Sequence, residues 1–180
     1  MLFRSVVCIH RKCIHGVDDY RPMVHCIRDL PRLRHLELNL AGNVLGHQCG
    51  YILGSLCLST SIEVLMLNLS DCDLHDVARG PHHAHRIMLP VLDVNDLCYI
   101  VQGPRLREFR LWMCNNHITD AGVQNLMHHL DGATRLQYVY VDLTRNLVGL
   151  YGLLVAQEYR NRHPSFTIAY LPLPGLRSDH

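Results

Sequence analysis

Three histidines of this sequence cluster in a single short stretch. His82, His83 and His85 stand close together, flanked by Arg79 and Arg86. Imidazole binds zinc and copper, so this stretch suggests either a metal site or a surface that contacts another protein. However, no Cys-x-x-Cys pair and no pair of histidines at helical spacing accompanies it. We predict contact with a partner protein and no bound metal or cofactor. A neutral surface insertion and a metal-binding or metal-regulated module are the alternatives.

Motifs that carry out catalysis are missing from the sequence. No Gly-x-Ser-x-Gly elbow presents a serine nucleophile, and neither a phosphate-binding loop nor a dinucleotide fingerprint occurs. Serine, histidine and aspartate are plentiful but do not fall in a recognisable catalytic pattern. We therefore predict that the protein is not an enzyme.

Composition and charge exclude several further classes of protein. The 180 residues are 48% hydrophobic and 18% charged, with a net charge of +1. This balance argues against disorder and against general binding to nucleic acid. No apolar run reaches the roughly 18 residues of a membrane-spanning helix, so we expect no membrane insertion. The length suits a single domain over residues 1–180.

Apolar residues recur at fixed offsets in four segments. The first segment has them at Leu33, Leu36, Leu38, Leu40 and Leu45, and the others begin at Ile62, Leu106 and Leu136. All 20 apolar positions are filled, and the position of Asn43 is taken by Cys72, Asn116 and Asn146 in turn. Weaker units begin near Phe3, with Val6, Cys8 and Cys13 at matching offsets, and near Phe166. Such regularity indicates a repeat architecture with degenerate terminal units.

Each segment combines a strand pattern with a helix pattern. Alternating apolar residues predict a strand with one buried face, and the Asn or Cys can hydrogen-bond backbone groups where the chain leaves that strand. The period near 3.6 then predicts helices over Asp19–Leu30, Gly50–Leu58, Asp93–Val101, Gly122–Leu130 and Leu150–Arg160. Thr119 and Asp120 provide a cap for the fourth of these.

The pattern Leu-x-x-Leu-x-Leu followed by Asn/Cys-x-Leu resembles that of the leucine-rich repeat family, in its ribonuclease-inhibitor-like subclass. Each strand is two residues longer than the common form, because an extra apolar position (Leu40, Leu69, Met113, Leu143) precedes the Asn position. The resemblance implies an α/β solenoid of about six repeats, a short horseshoe with a parallel sheet on its concave face and helices on its convex face. Repeats would start near residues 3, 33, 62, 106, 136 and 166.

Residues between the inward positions would face solvent on the sheet. We predict that they form a protein-binding surface, with site residues Glu37, Met66, Glu108, Arg110, Trp112, Tyr138, Tyr140 and Asp142. Tryptophan, tyrosine and arginine are enriched at binding hot spots. The alternative is cross-strand pairing that only stabilises the sheet.

One repeat is longer than its neighbours. The starts of the four segments are separated by 29, 44 and 30 residues, and the surplus lies in Asp76–Leu92. This stretch contains His82 and its neighbours and is predicted to leave the solenoid as a loop.

We interpret the chain as a non-catalytic scaffold or adaptor within a larger protein assembly. The resemblance is also compatible with a substrate-receptor adaptor of a ubiquitin ligase. The opening residues lack a secretory signal, which favours the cytoplasm. A mitochondrial address is the alternative, because basic residues such as Arg4 and Arg11 occur there and no acid precedes Asp18.

Overall fold

The structure, a computed structural model, describes residues 3–9, 12–45, 48–76 and 96–169. Six parallel strands form one sheet in chain order, so each strand pairs with the strands before and after it. These strands are β1 Phe3–Cys8, β2 Leu33–Asn39, β3 Val64–Asn68, β4 Glu108–Trp112, β5 Tyr138–Asp142 and β6 Thr167–Ala169. Together with the helices they confirm the predicted α/β class.

Helices connect the strands. Over the described ranges the α-helices are α1 Arg21–Arg28, α2 Cys49–Gly54, α3 Asp120–Gly132 and α4 Leu150–Arg162. Shorter 3₁₀ turns cover Val17–Asp19, Ser55–Leu58 and Cys98–Gln102. No helix within those ranges has the length and apolar character that a membrane crossing requires.

The core lies between one face of the sheet and the helices. All 20 apolar positions of the four segments are buried, as their spacing predicts. They pack in one cluster with helix residues such as Val24, Leu53, Leu126 and Tyr159. The intervening strand residues are half-buried or exposed. Alternation along each strand therefore covers one face of the sheet and leaves the other open.

Buried asparagines bind backbone groups of two successive turns. The Asn116 side chain accepts hydrogen bonds from the Cys72 and Leu74 amides and donates to the Leu69 and Met113 carbonyls, at 2.9–3.1 Å. Asn43 acts in the same way two turns earlier, and Asn146 one turn later. The predicted role of the Asn position is confirmed, since these side chains pair backbone groups that the strands leave free.

Cysteine replaces asparagine at one of these positions. The Cys72 thiol lies 3.3 Å from the Leu40 carbonyl oxygen and 3.4 Å from that of Ser70, so it acts as a weak donor. It bonds the same class of backbone carbonyl as the asparagine amides do. The turn after β3 therefore keeps the general arrangement with a weaker side-chain donor.

The first strand departs from the predicted register. Val6 and Cys8 are expected inward, yet Val6 is paired with Glu37 and 61% exposed, and Cys8 is exposed too. A register irregularity between Phe3 and Arg4 causes the difference, because a shift of one residue sends every following side chain to the opposite face. Val7 packs against the core instead.

The predicted helices agree with the structure in position but not always in length. Thr119 caps α3 by accepting a hydrogen bond from the Ala121 amide at 3.3 Å. Pro22 stands in the first turn of α1, where its missing N–H costs nothing. The predicted helix over Gly50–Leu58 is divided into α2 and a 3₁₀ turn. The proposed start at Asp93 lies outside the described residues.

Two aspartates each bind the amino-terminal end of a helix in the next repeat. The Asp76 carboxylate accepts hydrogen bonds from the Thr119 amide at 2.8 Å and the Gly122 amide at 2.6 Å. Asp120 accepts from the Gly149 amide at 2.6 Å. Asp76, at the start of the predicted insertion, is buried and holds the start of α3. Its carboxylate satisfies amides that a helix amino terminus leaves unpaired.

Candidate functional site

Three columns of side chains cross the open face of the sheet, and the strand register fixes their neighbours. The first column is His35, Val64, Glu108, Tyr138; the second is Glu37, Met66, Arg110, Tyr140; the third is Asn39, Asn68, Trp112, Asp142. All eight predicted site residues on the sheet occur in these columns. The register therefore brings together residues that lie far apart in the sequence.

Arg110 occupies the centre of the aromatic side of this surface. Its Nε donates a hydrogen bond to Glu108 Oε1 at 2.7 Å, and its guanidinium carbon lies 5.0 Å from the centre of the Tyr138 ring. This is the geometry of a cation–π contact combined with an ion pair. Both contacts orient the arginine along the sheet surface, with 37% of its side chain still exposed.

Trp112 and Tyr140 form an aromatic pair on neighbouring strands. Their ring centres are 5.5 Å apart and the planes are tilted by 45°. Partial burial raises the pKa of Tyr140, and the nearby Asp142 carboxylate raises it further. Tyr140 therefore keeps its phenolic proton at neutral pH and can donate it in a hydrogen bond. The pair presents two flat apolar surfaces, each with a polar group at its edge.

Glu37 pairs with basic side chains on the β1 side of the surface. His35 Nε2 lies 3.0 Å from Glu37 Oε1, and Arg4 forms an ion pair with the same carboxylate. Partial burial opposes ionisation of this group, but the hydrogen bonds from His35 and Arg4 outweigh it and lower the pKa of Glu37. The carboxylate is thus charged and held in place.

A shallow groove of about 290 Å³ lies between β1 and β4 on this face. Its lining includes Val6, Met66 and Trp112 as apolar walls, with Asn39 and Asn68 at the strand ends. Apolar surface with a few polar groups at its margin suits an inserted side chain from a partner. The corrected register of β1 matters here, because it puts Val6 on this face.

The histidine-rich stretch lies outside the described residues, which applies to Arg79, His82, His83, His85 and Arg86. Their predicted contact with a partner stays a prediction.

A different group of side chains has the geometry to hold a metal ion. Asp73, His75 and His117 offer ligand atoms that all lie within 4.8 Å of one another. Asp73 Oδ1 is 3.3 Å from His75 Nε2 and 2.9 Å from His117 Nε2. We did not predict this group, because its members stand between the repeated apolar positions and in two different repeats. The signal that could have found them is an alignment of the turns after β3 and β4, which puts Asp73 and His75 beside His117.

No family model matches this sequence, and no curated protein matches it either. The function is therefore inferred from the geometry of the sheet face and of the adjoining turns.

Proposed function

We propose that the protein is a leucine-rich-repeat solenoid that acts as a non-catalytic, protein-binding scaffold within a larger assembly. The matching register of β2 to β5 and the burial of their equivalent apolar residues support the repeat interpretation. The recurring asparagine hydrogen bonds also support it, because they join consecutive turns in one manner. Stacked units of this kind present an extended sheet surface to a partner.

The observation that carries the binding proposal is the cluster formed by Arg110, Trp112, Tyr138 and Tyr140. A sheet face open to solvent has little packing need for these large side chains, and they are the types that dominate binding energy at interfaces. Their mutual contacts hold them in place before a partner arrives. Less side-chain entropy is then lost when a complex forms.

The surface suits a partner protein that combines an apolar side chain with hydrogen-bonding groups. The groove beside Met66 and Trp112 accepts the apolar side chain. Tyr140 and Arg110 supply donors next to it, while Glu108 and Asp142 supply negative charge. Because both signs of charge alternate across the strands, the face favours a mixed protein surface over a uniformly charged polymer.

Affinity purification of the full tagged chain from its native source, with quantitative mass spectrometry, tests this proposal. We expect Trp112→Ala and Tyr140→Ala to reduce recovery of at least one partner by about tenfold or more, as hot-spot truncations do. Circular dichroism of each variant checks that the fold is intact.

Tyr151→Ala provides the matched control, because this exposed tyrosine lies on α4 and away from the sheet columns. The partner that is lost with the sheet variants should be retained with this one. Equal recovery from wild type, both sheet variants and the control, with all of them folded, would exclude the open sheet face as the binding surface.

A further inference from the structure

We propose that Asp73, His75 and His117 form a binding site for a divalent transition metal, of which Zn²⁺ is the representative ion. The residues lie on the turns that follow β3 and β4, beyond the strand ends. The site is therefore separate from the side-chain columns on the open sheet face. A bound ion would join two neighbouring turns of the chain.

The distances between the ligand atoms support tetrahedral coordination. Zinc binds imidazole nitrogen and carboxylate oxygen at about 2.0–2.1 Å, so two ligands of one tetrahedral ion lie roughly 3.3 Å apart. Asp73 Oδ1 already lies 3.3 Å from His75 Nε2 and 2.9 Å from His117 Nε2. These separations are close to the oxygen–nitrogen edges of such a tetrahedron.

The backbone fixes the two histidines as neighbours. The His117 amide donates a hydrogen bond to the Leu74 carbonyl at 2.9 Å, and His75 and His117 form a parallel β-bridge. Their rings stack with centres 4.5 Å apart and planes within 3°. To converge on one ion the rings must turn, which the broad χ2 preference of histidine permits at low cost.

Asp73 reaches the imidazoles through an unusual backbone conformation. Its φ is 56°, in the left-handed region, whereas the equivalent residues Val44, His117 and Leu147 in the other turns have no positive φ. Aspartate is among the few residues that tolerate this region. The turn after β3 therefore differs from its counterparts at the residue that supplies the carboxylate.

The ligand types and their exposure select the class of ion. Two imidazoles and one carboxylate suit zinc and the other late first-row metals, whereas calcium and magnesium prefer oxygen ligands alone. The side chain of His117 is 42% exposed and that of Asp73 63% exposed, so an ion can enter from solvent. Water would complete the coordination, as in other sites with three protein ligands.

Isothermal titration of the full chain with Zn²⁺ alone tests the site. We expect one equivalent of zinc to bind, and Mg²⁺ to give no signal. Asp73→Asn is the most informative variant, because asparagine keeps the left-handed backbone and removes the charge. It should weaken zinc binding roughly 100-fold, at least as much as loss of an outer-shell partner does at other metal sites.

Two control variants separate this site from other histidines. His128→Ala removes an exposed histidine of α3 and should bind zinc as wild type does. A triple variant, His82→Ala with His83→Ala and His85→Ala, should also retain the site. Loss of binding in the triple variant with full binding in Asp73→Asn would assign zinc to the histidine-rich stretch and overturn the proposal.

A spectroscopic readout keeps the test independent of variant stability. In the wild-type protein, zinc should shift the imidazole proton resonances of His75 and His117 and leave those of His128 unchanged. Absence of zinc binding, or shifts confined to other histidines, would overturn the proposal even if a variant failed to fold. Neither result depends on partner binding by the open sheet face.

Discussion

Asn116 shows how one side chain stabilises two turns of the chain. Its amide group makes hydrogen bonds to backbone atoms of the turn after β3 and of its own turn, and the residue is only 4% exposed. Without that amide, several buried backbone groups lose their partners, and each unpaired group costs free energy. The contribution of this residue to stability is therefore larger than that of a typical surface polar side chain.

We predict that Asn116→Ala lowers the free energy of unfolding by about 3 kcal/mol, since net hydrogen-bond contributions of about 0.5–1.5 kcal/mol each add up at this site. Chemical denaturation followed by circular dichroism measures the change. Asn161→Ala on α4 is the control, because its exposed side chain accepts a hydrogen bond from the exposed Gln157 side chain. A loss below 1 kcal/mol for Asn116→Ala would contradict the account of the asparagine hydrogen bonds.

At the level of elements, close packing of a carboxylate against a helix fixes where α3 begins. Asp76 bonds the Gly122 amide, and a Cβ added at Gly122 would lie 2.9 Å from the Asp76 Cγ. Gly132, at the other end of the same helix, has open space around the equivalent position. The two glycines therefore serve as a matched pair for testing this contact.

Gly122→Ala should destabilise the protein by about 2 kcal/mol, because the added methyl group displaces the Asp76 carboxylate from the helix start. Gly132→Ala should be neutral or slightly stabilising, since alanine favours helix and meets no neighbour. Thermal unfolding of both variants gives the comparison. Equal melting temperatures for the two would show that Asp76 does not constrain α3.

An ion-pair group connects the ends of α3 and α4. The Asp131 carboxylate pairs with Arg162 and lies 2.9 Å from His163 Nε2. Partial burial opposes ionisation of Asp131, but its hydrogen bonds to His163 and Arg162 outweigh that effect and lower its pKa below the ordinary value of 3.8. A lowered pKa means that the charged carboxylate stabilises the folded state at neutral pH.

The stability of Asp131→Asn relative to wild type should consequently depend on pH. The variant should melt at a lower temperature at pH 7. The difference should shrink as the pH falls below 3.8 and wild-type Asp131 takes up its proton. Glu158→Gln, on the exposed side of α4, is the control. A difference in melting temperature that grew as the pH fell below 3.8 would contradict the lowered pKa of Asp131.

For the molecule as a whole, the parts predicted well are those that a strong hydrophobic pattern determines. Apolar residues in alternate positions fix which face of β2 to β5 is buried, and this alignment yields the columns around Trp112. The pattern fails in β1, where polar and apolar residues mix and a shift of one residue decides which side chains are buried.

The side-chain contacts within the two candidate sites could not be predicted from the sequence. The spacing places Arg110 near Tyr138, but the ring contact depends on rotamers that the pattern does not determine. Asp73 meets the two histidines because of its left-handed backbone, which is a property of one turn and has no periodic signal. The contact of Asp76 with the start of α3 has no periodic signal either, because its hydrogen-bond partners lie in a later turn.

The asparagine hydrogen bonds also run in one direction along the chain. Asn43 accepts from the amides of Cys13 and Ile14, and Asn116 accepts from those of Cys72 and Leu74. Each acceptor thus comes from a later part of the sequence than the amides it serves. On a ribosome, which makes the amino terminus first, a turn would emerge before the residue that completes it. Cotranslational assembly of this sheet would accordingly trail synthesis by one turn.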